Sequence, residues 1–334
     1  MAERDPLDSL PTVAKVRLRK RAQPEWVAPM LATLTHERFS REGWLFEPKW
    51  DGERCLAFRR GRELILFSRN RIRLNDRYPE IATAFQRQEA NSFVADGEIV
   101  TFKDGITSFA KLQQRMQVQH PATDLLRRVP VWLYLFDLLY LDRYDTRQIP
   151  LRYRKQLLRS TFSYRGALRF TEHCETQGER FYRKACRQRW EGIIAKNGDS
   201  IYVSRRTRDW LKFKCQEQQE FVIGGYTDPR GSRIGFGALL VGFYRSGKLV
   251  YAGKVGTGFD QDTLQRLGRT LAQLEISTCP FTDDGLPRRN VHWVKPKLVA
   301  EIAFSEWTTA GKLRHPRFLG LREDKRAEDV VREG

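Results

Sequence analysis

The sequence has no long apolar run. Its most apolar stretch, Val129 to Leu141, is interrupted by Asp137 and is too short to cross a bilayer, so no membrane span is expected. Cysteine is scarce and odd in number. Cys55, Cys174, Cys186, Cys215 and Cys279 form no C-x-x-C pair, which argues against a zinc site and against a disulfide framework. The N-terminus lacks the apolar segment of a secretory signal, and a reducing cytoplasm is the expected compartment. No internal repeat or low-complexity tract is present. Acidic residues are in deficit as well: 41 Asp and Glu face 60 Lys and Arg, giving a net charge of +19 and a pI near 10.0. A surface of that sign favours a polyanionic partner, because Lys and Arg release condensed counterions when they meet phosphates. Nucleic acid is the first expectation. An acidic membrane surface, or mere solubility, would produce the same balance.

At 334 residues the chain is long for one core and fits two domains. Residues 1–25 read as a basic arm, mobile and free of acid through Lys15, Arg17, Arg19, Lys20 and Arg21. Residues 26–217 read as an α+β domain of antiparallel sheets and helices. Short strands pair as hairpins around Asp51-Gly52, Arg60-Gly61 and Asp104-Gly105. Helices follow Tyr78-Pro79 and Pro150, and another runs from Glu179 to Arg189. Residues 218–334 change texture to strands around Gly turns with one helix near Asp262 to Leu274. This fits a small β-barrel, and an OB-fold is the expected kind in a nucleic-acid protein. The second domain carries 18 basic and 14 acidic side chains, so fifteen of the nineteen net charges lie in residues 1–217.

The run Glu47-Pro48-Lys49-Trp50-Asp51-Gly52-Glu53-Arg54 sets an amine, a carboxylate and a guanidinium around an Asp-Gly turn, between two apolar strand-like runs. Such a site could bond covalently to phosphorus. A lysine at its ordinary pKa of about 10.4 is free base in roughly one molecule per thousand near pH 7.4, so the site must crowd it with cations or desolvate it. Taken alone, the same run also fits a hairpin tip with solvated charges.

Further blocks follow in order: Ser68-Arg69-Asn70, Asp96-Gly97-Glu98, Phe136-Asp137-Leu138-Leu139, Glu191 to Lys196, Trp210 to Lys214, and Arg322-Glu323-Asp324-Lys325. Together they resemble the nucleotidyltransferase motifs of ATP-dependent DNA ligases, from about Trp26 to Val331. The resemblance implies a nucleotidyltransferase (adenylation) domain followed by an OB-fold domain, with ATP and Mg²⁺ as cofactors and Mn²⁺ as an open substitute for the metal. It implies that Lys49 carries AMP and that Lys212 and Lys214, two apart on one strand, both reach the α-phosphate and crowd Lys49. Glu98 and Glu191 become metal ligands, with Glu98 also placed to contact the ribose. Phe136 stacks the adenine, and Glu47 reads its 6-amino group. Arg54 and Arg69 hold the ribose or the 5′-phosphate, and Asp51 orients the attacking 3′-hydroxyl or a metal-bound water. Arg322 and Lys325, supported by Asp324, grip the β,γ-phosphates. Domain motion is expected about a hinge at Gln216 to Gln219.

Gly235 to Gly242, Tyr251 to Phe259 and Glu306-Trp307-Thr308 resemble the ligase module of bacterial and archaeal end-joining enzymes. That likeness implies repair and recombination of double-strand breaks by a DNA-binding monomer in the cytoplasm, near the nucleoid. Duplex DNA with nicks or ends would be its substrate and a Ku-like end-binding protein its partner, with no membrane involved. The competing readings are an RNA ligase or capping-type guanylyltransferase of the same superfamily, and a non-catalytic OB-fold binding module.

Overall fold

Alternation along the strands places the site, because successive side chains of a strand point to opposite sides of its sheet. The computed structural model describes residues 6–215, 217–229, 231–283, 286 and 290–333. It divides into a unit Met1–Cys215 and a unit Gln216–Gly334. The first unit holds a seven-stranded sheet in the order Arg19–Lys20, Tyr144–Asp145, Trp132–Leu141, Ser92–Val100, Glu53–Arg60 and Glu63–Ser68, with Leu168–Phe170 beside Trp132–Leu141. A five-stranded sheet runs in the order Cys174–Glu175, Trp44–Pro48, Gly192–Asn197, Arg206–Lys214 and Leu31–Leu34.

One face of the larger sheet buries Cys55, Ala57, Leu66, Phe93 and Leu133 against Ile81, Phe85, Leu112, Leu157 and Leu158 from the helices Pro79–Gln86, Phe109–Met116 and Leu151–Thr161. The other face sends Leu56, Phe58, Val94 and Phe136 into a smaller cluster with Tyr202 and Trp210. The smaller sheet packs Phe46, Ile193, Ala195, Leu211 and Phe213 against the helix Gly178–Arg187. Each fully buried Leu or Phe of this kind contributes about 1.5–3 kcal/mol.

Four sequence expectations need correction. The Asp51-Gly52 step is not a hairpin: the strand before it, Trp44–Pro48, belongs to the five-stranded sheet, and the strand after it, Glu53–Arg60, to the seven-stranded one. Gly52 is needed for close approach, since a Cβ there would lie 2.0 Å from the Ile99 carbonyl oxygen. The other two sites do make hairpins, with Arg60 opposite Glu63 and Lys103 opposite Ile106. The N-terminal segment is not a free arm over its described residues. Leu7, Leu10 and Ala14 are buried in the main core, and Arg19 and Lys20 pair with Asp145 and Tyr144. The three apolar residues, three and four apart, form a short apolar stripe that the neighbouring basic residues obscure.

The third correction is a disulfide between Cys186 and Cys215, 29 residues apart. Packing of the helix Gly178–Arg187 on the strands Gly192–Asn197 and Arg206–Lys214 brings the two together, and no local spacing announces it. The fourth concerns the expected hinge. Gln216 lies outside the described residues, but Glu217, Gln218 and Gln219 are strand residues paired with Phe304, Ala303 and Ile302.

In the second unit the strand Glu217–Thr227 is central. It pairs with Leu239–Arg245, which pairs in turn with Lys248–Val255, and with Val299–Phe304, which pairs with Arg317–Leu321. A bridge between Thr257 and Arg317 closes the ring, so these strands match the OB-fold barrel. The helix Gln261–Gln273 is capped by Asp260, whose carboxylate accepts from Thr263 N at 2.7 Å, and it buries Leu264, Leu267 and Leu271 at helical spacing.

Candidate active site

Lys49 follows directly on the strand Trp44–Pro48, and its backbone N–H donates to the Gly192 carbonyl at 3.0 Å. Gly192 opens the neighbouring strand with φ +155°, and a Cβ there would meet the Phe213 carbonyl oxygen at 2.1 Å. Only glycine fits. Across the next ladder Gly192 stands opposite Lys214, so Lys49 and Lys214 flank one residue from its two sides. The residue before Gly192 is Glu191, whose Oε1 forms an ion pair with Lys49 Nζ. Lys49 is about one-fifth exposed and Glu191 nearly buried.

Register sets the rest of this face. Glu47, Ile194 and Lys212 form one cross-strand row, and Leu45, Lys196 and Trp210 the next. Lys212 is half-buried and Lys214 buried. The intervening Leu211 and Phe213 point to the opposite, apolar side.

Glu47 is 2% exposed and bound by two lysines: Lys155 Nζ lies 2.6 Å from Oε1, and Lys196 Nζ lies 2.6 Å from Oε2. Burial pushes its carboxyl pKa up, but the two ammonium groups outweigh that and hold it below the ordinary value. Burial and the nearby Lys155 pull Lys196 down to about 8, against the opposing pull of Glu47. Its ammonium sits 4.1 Å from the Phe136 ring centroid and 4.2 Å from that of Trp210, within cation–π range.

Phe136 is 7% exposed and lies edge-on to Trp210, with the Arg54 guanidinium 4.7 Å from its centroid. Arg54 in turn forks onto the fully buried Asp96, with contacts of 2.5 and 2.6 Å. Despite burial, which disfavours its charge, the adjacent Asp96 raises its pKa above the ordinary value. Tyr202 O–H donates to the same Asp96 at 2.7 Å and accepts from Met30 N at 2.9 Å. Arg54 is thereby fixed in one geometry.

The remaining expected residues are spread around this core. Asp51 Oδ2 accepts from Phe109 N at 3.0 Å, at the start of the helix Phe109–Met116. Glu98 is half-buried on the strand Ser92–Val100, opposite Arg54, and Arg69 is half-buried just beyond Ser68. No group of three or more His, Cys, Asp or Glu capable of holding a metal occurs among the described residues. Of the two expected metal ligands, Glu98 lies on the strand Ser92–Val100 and Glu191 just before the strand Gly192–Asn197. Arg322, Asp324 and Lys325 lie in the second unit. There Arg322 forks onto Asp324 at 2.9 and 2.8 Å and reaches Glu301 at 3.1 Å, while Lys325 pairs with Glu220 at 2.9 Å. Burial raises the Asp324 carboxyl, yet Arg322 holds it below the usual range.

Sequence reasoning missed Asp96 as the partner of Arg54, Tyr202 as a second partner of Asp96, and Lys155 and Lys196 as partners of Glu47. Lys155 did leave a signal. It falls on the apolar stripe Leu151, Lys155, Leu158 of the helix Leu151–Thr161, where a lone charge asks for a buried partner.

The chain matches the family described as "ATP dependent DNA ligase domain" over residues 29–214 and the "ATP dependent DNA ligase C terminal region" over residues 232–325. It is 35% identical over 322 residues to the multifunctional non-homologous end joining protein LigD of Pseudomonas aeruginosa, covering 94% of this chain and 37% of that protein. Against the LigD end joining DNA repair protein of Mycobacterium tuberculosis it is 37% identical over 314 residues, covering 92% of this chain and 40% of that one. The chain thus spans well under half the length of these relatives. A solved mycobacterial DNA ligase D complexed with ATP and MES superposes with a TM-score of 0.64 at 34% identity, covering 92% of this chain and 98% of that one.

Proposed function

The chain belongs to the ATP-dependent DNA ligases, and from that premise we propose that it seals 5′-phosphate/3′-hydroxyl breaks in duplex DNA through AMP carried on Lys49. This membership favours the DNA ligase reading over the capping enzyme, the RNA ligase and the non-catalytic barrel. The observation that carries the proposal is the placing of the Lys49 amine at the edge of a lysine-rich sheet face, beside Glu191 and across Gly192 from Lys214.

In the first step the unprotonated Lys49 Nζ attacks the α-phosphorus of ATP. A P–N bond forms, the α,β P–O bond breaks, and pyrophosphate leaves. In the second, an oxygen of the DNA 5′-phosphate attacks the same phosphorus, freeing the lysine and making a DNA-adenylate. In the third, the 3′-hydroxyl oxygen displaces AMP and completes the phosphodiester. Each step needs in-line geometry and neutralised phosphate charge. Lys212 and Lys214 supply that charge at the α-phosphate. Arg322 and Lys325, supported by Asp324, grip the β,γ-phosphates in this reading. Phe136 supports the adenine ring and the Glu47 carboxylate accepts from its 6-amino group. Arg54, held rigid by Asp96, and Arg69 bind ribose or the 5′-phosphate, and Asp51 orients the 3′-hydroxyl. Glu98 and Glu191 would hold the divalent ion, Mg²⁺ in this reading, whose contribution is to screen the phosphates; Glu191 gives up Lys49 to do so.

The excess positive charge in residues 1–217 supports this unit as the main electrostatic contact with DNA. The relatives' end-joining names support a role in the repair of double-strand breaks; the Ku-like partner, the monomeric state and the cytoplasm are parts of the proposal that those names do not carry. The test incubates the protein with labelled ATP or GTP and Mg²⁺, then with a nicked duplex. A covalent AMP adduct that survives alkali and is lost in warm acid, as a P–N bond requires, absent in Lys49→Ala and followed by sealing, is expected. A GMP adduct, or sealing without any adduct, would refute the proposal.

A further inference from the structure

Lys155 belongs to none of the sequence motifs. It reaches the site from the helix Leu151–Thr161, is 2% exposed, and spends its ammonium on Glu47 Oε1 at 2.6 Å and the Thr171 carbonyl at 3.0 Å, with the Phe170 ring centroid 4.7 Å away. An ionised carboxylate offers about two acceptor positions on each oxygen. Lys155 donates to Oε1 and the Lys196 ammonium forms an ion pair with Oε2 at 2.6 Å, so the carboxylate is held from both ends and retains acceptor positions for a further donor. We infer that Lys155 is a positioning residue for base selection: it holds the Glu47 carboxylate ionised and in the orientation that accepts from an adenine 6-amino group.

The inference rests on the reading of Glu47 as the acceptor for that amino group. With Lys155 gone, the carboxylate is tied at one oxygen only and can swing toward Lys196. It also loses half the positive charge that offsets its burial, and a buried carboxyl so deprived moves toward the protonated form. A protonated carboxyl donates as readily as it accepts and no longer discriminates against a purine without the amino group. Lys196 plays the complementary part from the strand Gly192–Asn197. It is itself close to Phe136, whereas Lys155 acts on the base only through Glu47.

The experiment measures the rate of nucleotide adduct formation on the full chain with ATP and with purine riboside triphosphate, which lacks the 6-amino group but keeps the reacting phosphate. The wild type should prefer ATP by about 10- to 100-fold, as for one hydrogen bond to a charged group. Lys155→Met should bring that preference below about threefold, and Lys155→Gln, which keeps a neutral donor near Glu47, should fall between. A merely structural role would slow both nucleotides in proportion and leave the ratio intact. If Lys155→Met does not fold, Lys155→Gln is read by the same ratio. If Glu47→Ala loses the preference while the folded Lys155 variants keep it, the inference about Lys155 is overturned and the reading of Glu47 stands. If the wild type shows no preference, or Glu47→Ala retains it, the reading of Glu47 falls and the inference with it.

Discussion

The two faces of the sheet built from Trp44–Pro48, Gly192–Asn197 and Arg206–Lys214 share a backbone and differ in almost everything else. One presents Phe46, Ile193, Ala195, Leu211 and Phe213 to a helix; the other presents Glu47, Lys196, Lys212 and Lys214, with Phe136 beside Lys196. Adjacent residues such as Lys212 and Phe213 therefore serve separate ends. The apolar face holds the strands at fixed separation, and the charged face uses that separation to keep like charges close together. Lysines at such density repel one another, so the site depends on packing from behind and on carboxylates in front: Glu191 for Lys49, and Glu47 for Lys155 and Lys196.

If that division holds, Phe213→Ala should destabilise the protein by about 3–5 kcal/mol, because the ring is fully buried and leaves a cavity. Below its lowered melting point the variant should still form the AMP adduct. Loss of adduct in a folded Phe213→Ala protein would show that the two faces are not separable. The neighbouring Lys212→Ala should do the reverse, slowing adduct formation by about 10²–10³-fold, as for removal of one preorganised donor. Thermal unfolding should move by less than about 1 kcal/mol.

Arg322 extends the contrast to the second unit, where the cation is forked onto Asp324 and nearly buried, whereas Lys49 is about one-fifth exposed beside Glu191. Arg322→Ala should lower adduct formation about 10- to 100-fold while sealing of a pre-adenylated nick stays nearly unchanged. Equal loss in both assays would remove its assignment to the leaving group.

The smallest expected effect concerns pH. Lys196 titrates near 8 in the folded protein and near 10.4 unfolded, so between these values the unfolded chain binds the extra proton. Its contribution to stability is unfavourable below about pH 8 and recovers as pH rises toward 10.4, by up to about 2 kcal/mol between pH 7.5 and 9.5. Unfolding measured across that window should show this rise in the wild type and not in Lys196→Met. A flat wild-type profile would mean that the buried ammonium keeps its ordinary affinity for protons.

Much of this was legible along the chain because it follows from alternation. The two-residue step from Lys212 to Lys214, the apolar Phe213 between them, and the barrel texture after residue 217 all appear in the folded protein. What stayed hidden is contact between distant segments. Lys155 meets Glu47 across 108 residues, and Arg54 meets Asp96 across 42. The disulfide partner of Cys186 is set by how a helix lies on a sheet, which no spacing records. The Asp51-Gly52 step was misread for a related reason. Its glycine suits a turn, but here it admits the Ile99 carbonyl where the chain passes from one sheet to the other.

The central claim is that the charged face exists to make one lysine a phosphorus nucleophile. Peptide mass spectrometry of the protein after incubation with ATP and a divalent ion tests it most directly. The account predicts a single adenylate on Lys49, released by adding a nick with a 5′-phosphate. An unmodified Lys49, or adenylate found on Lys196, Lys212 or Lys214 instead, would contradict it.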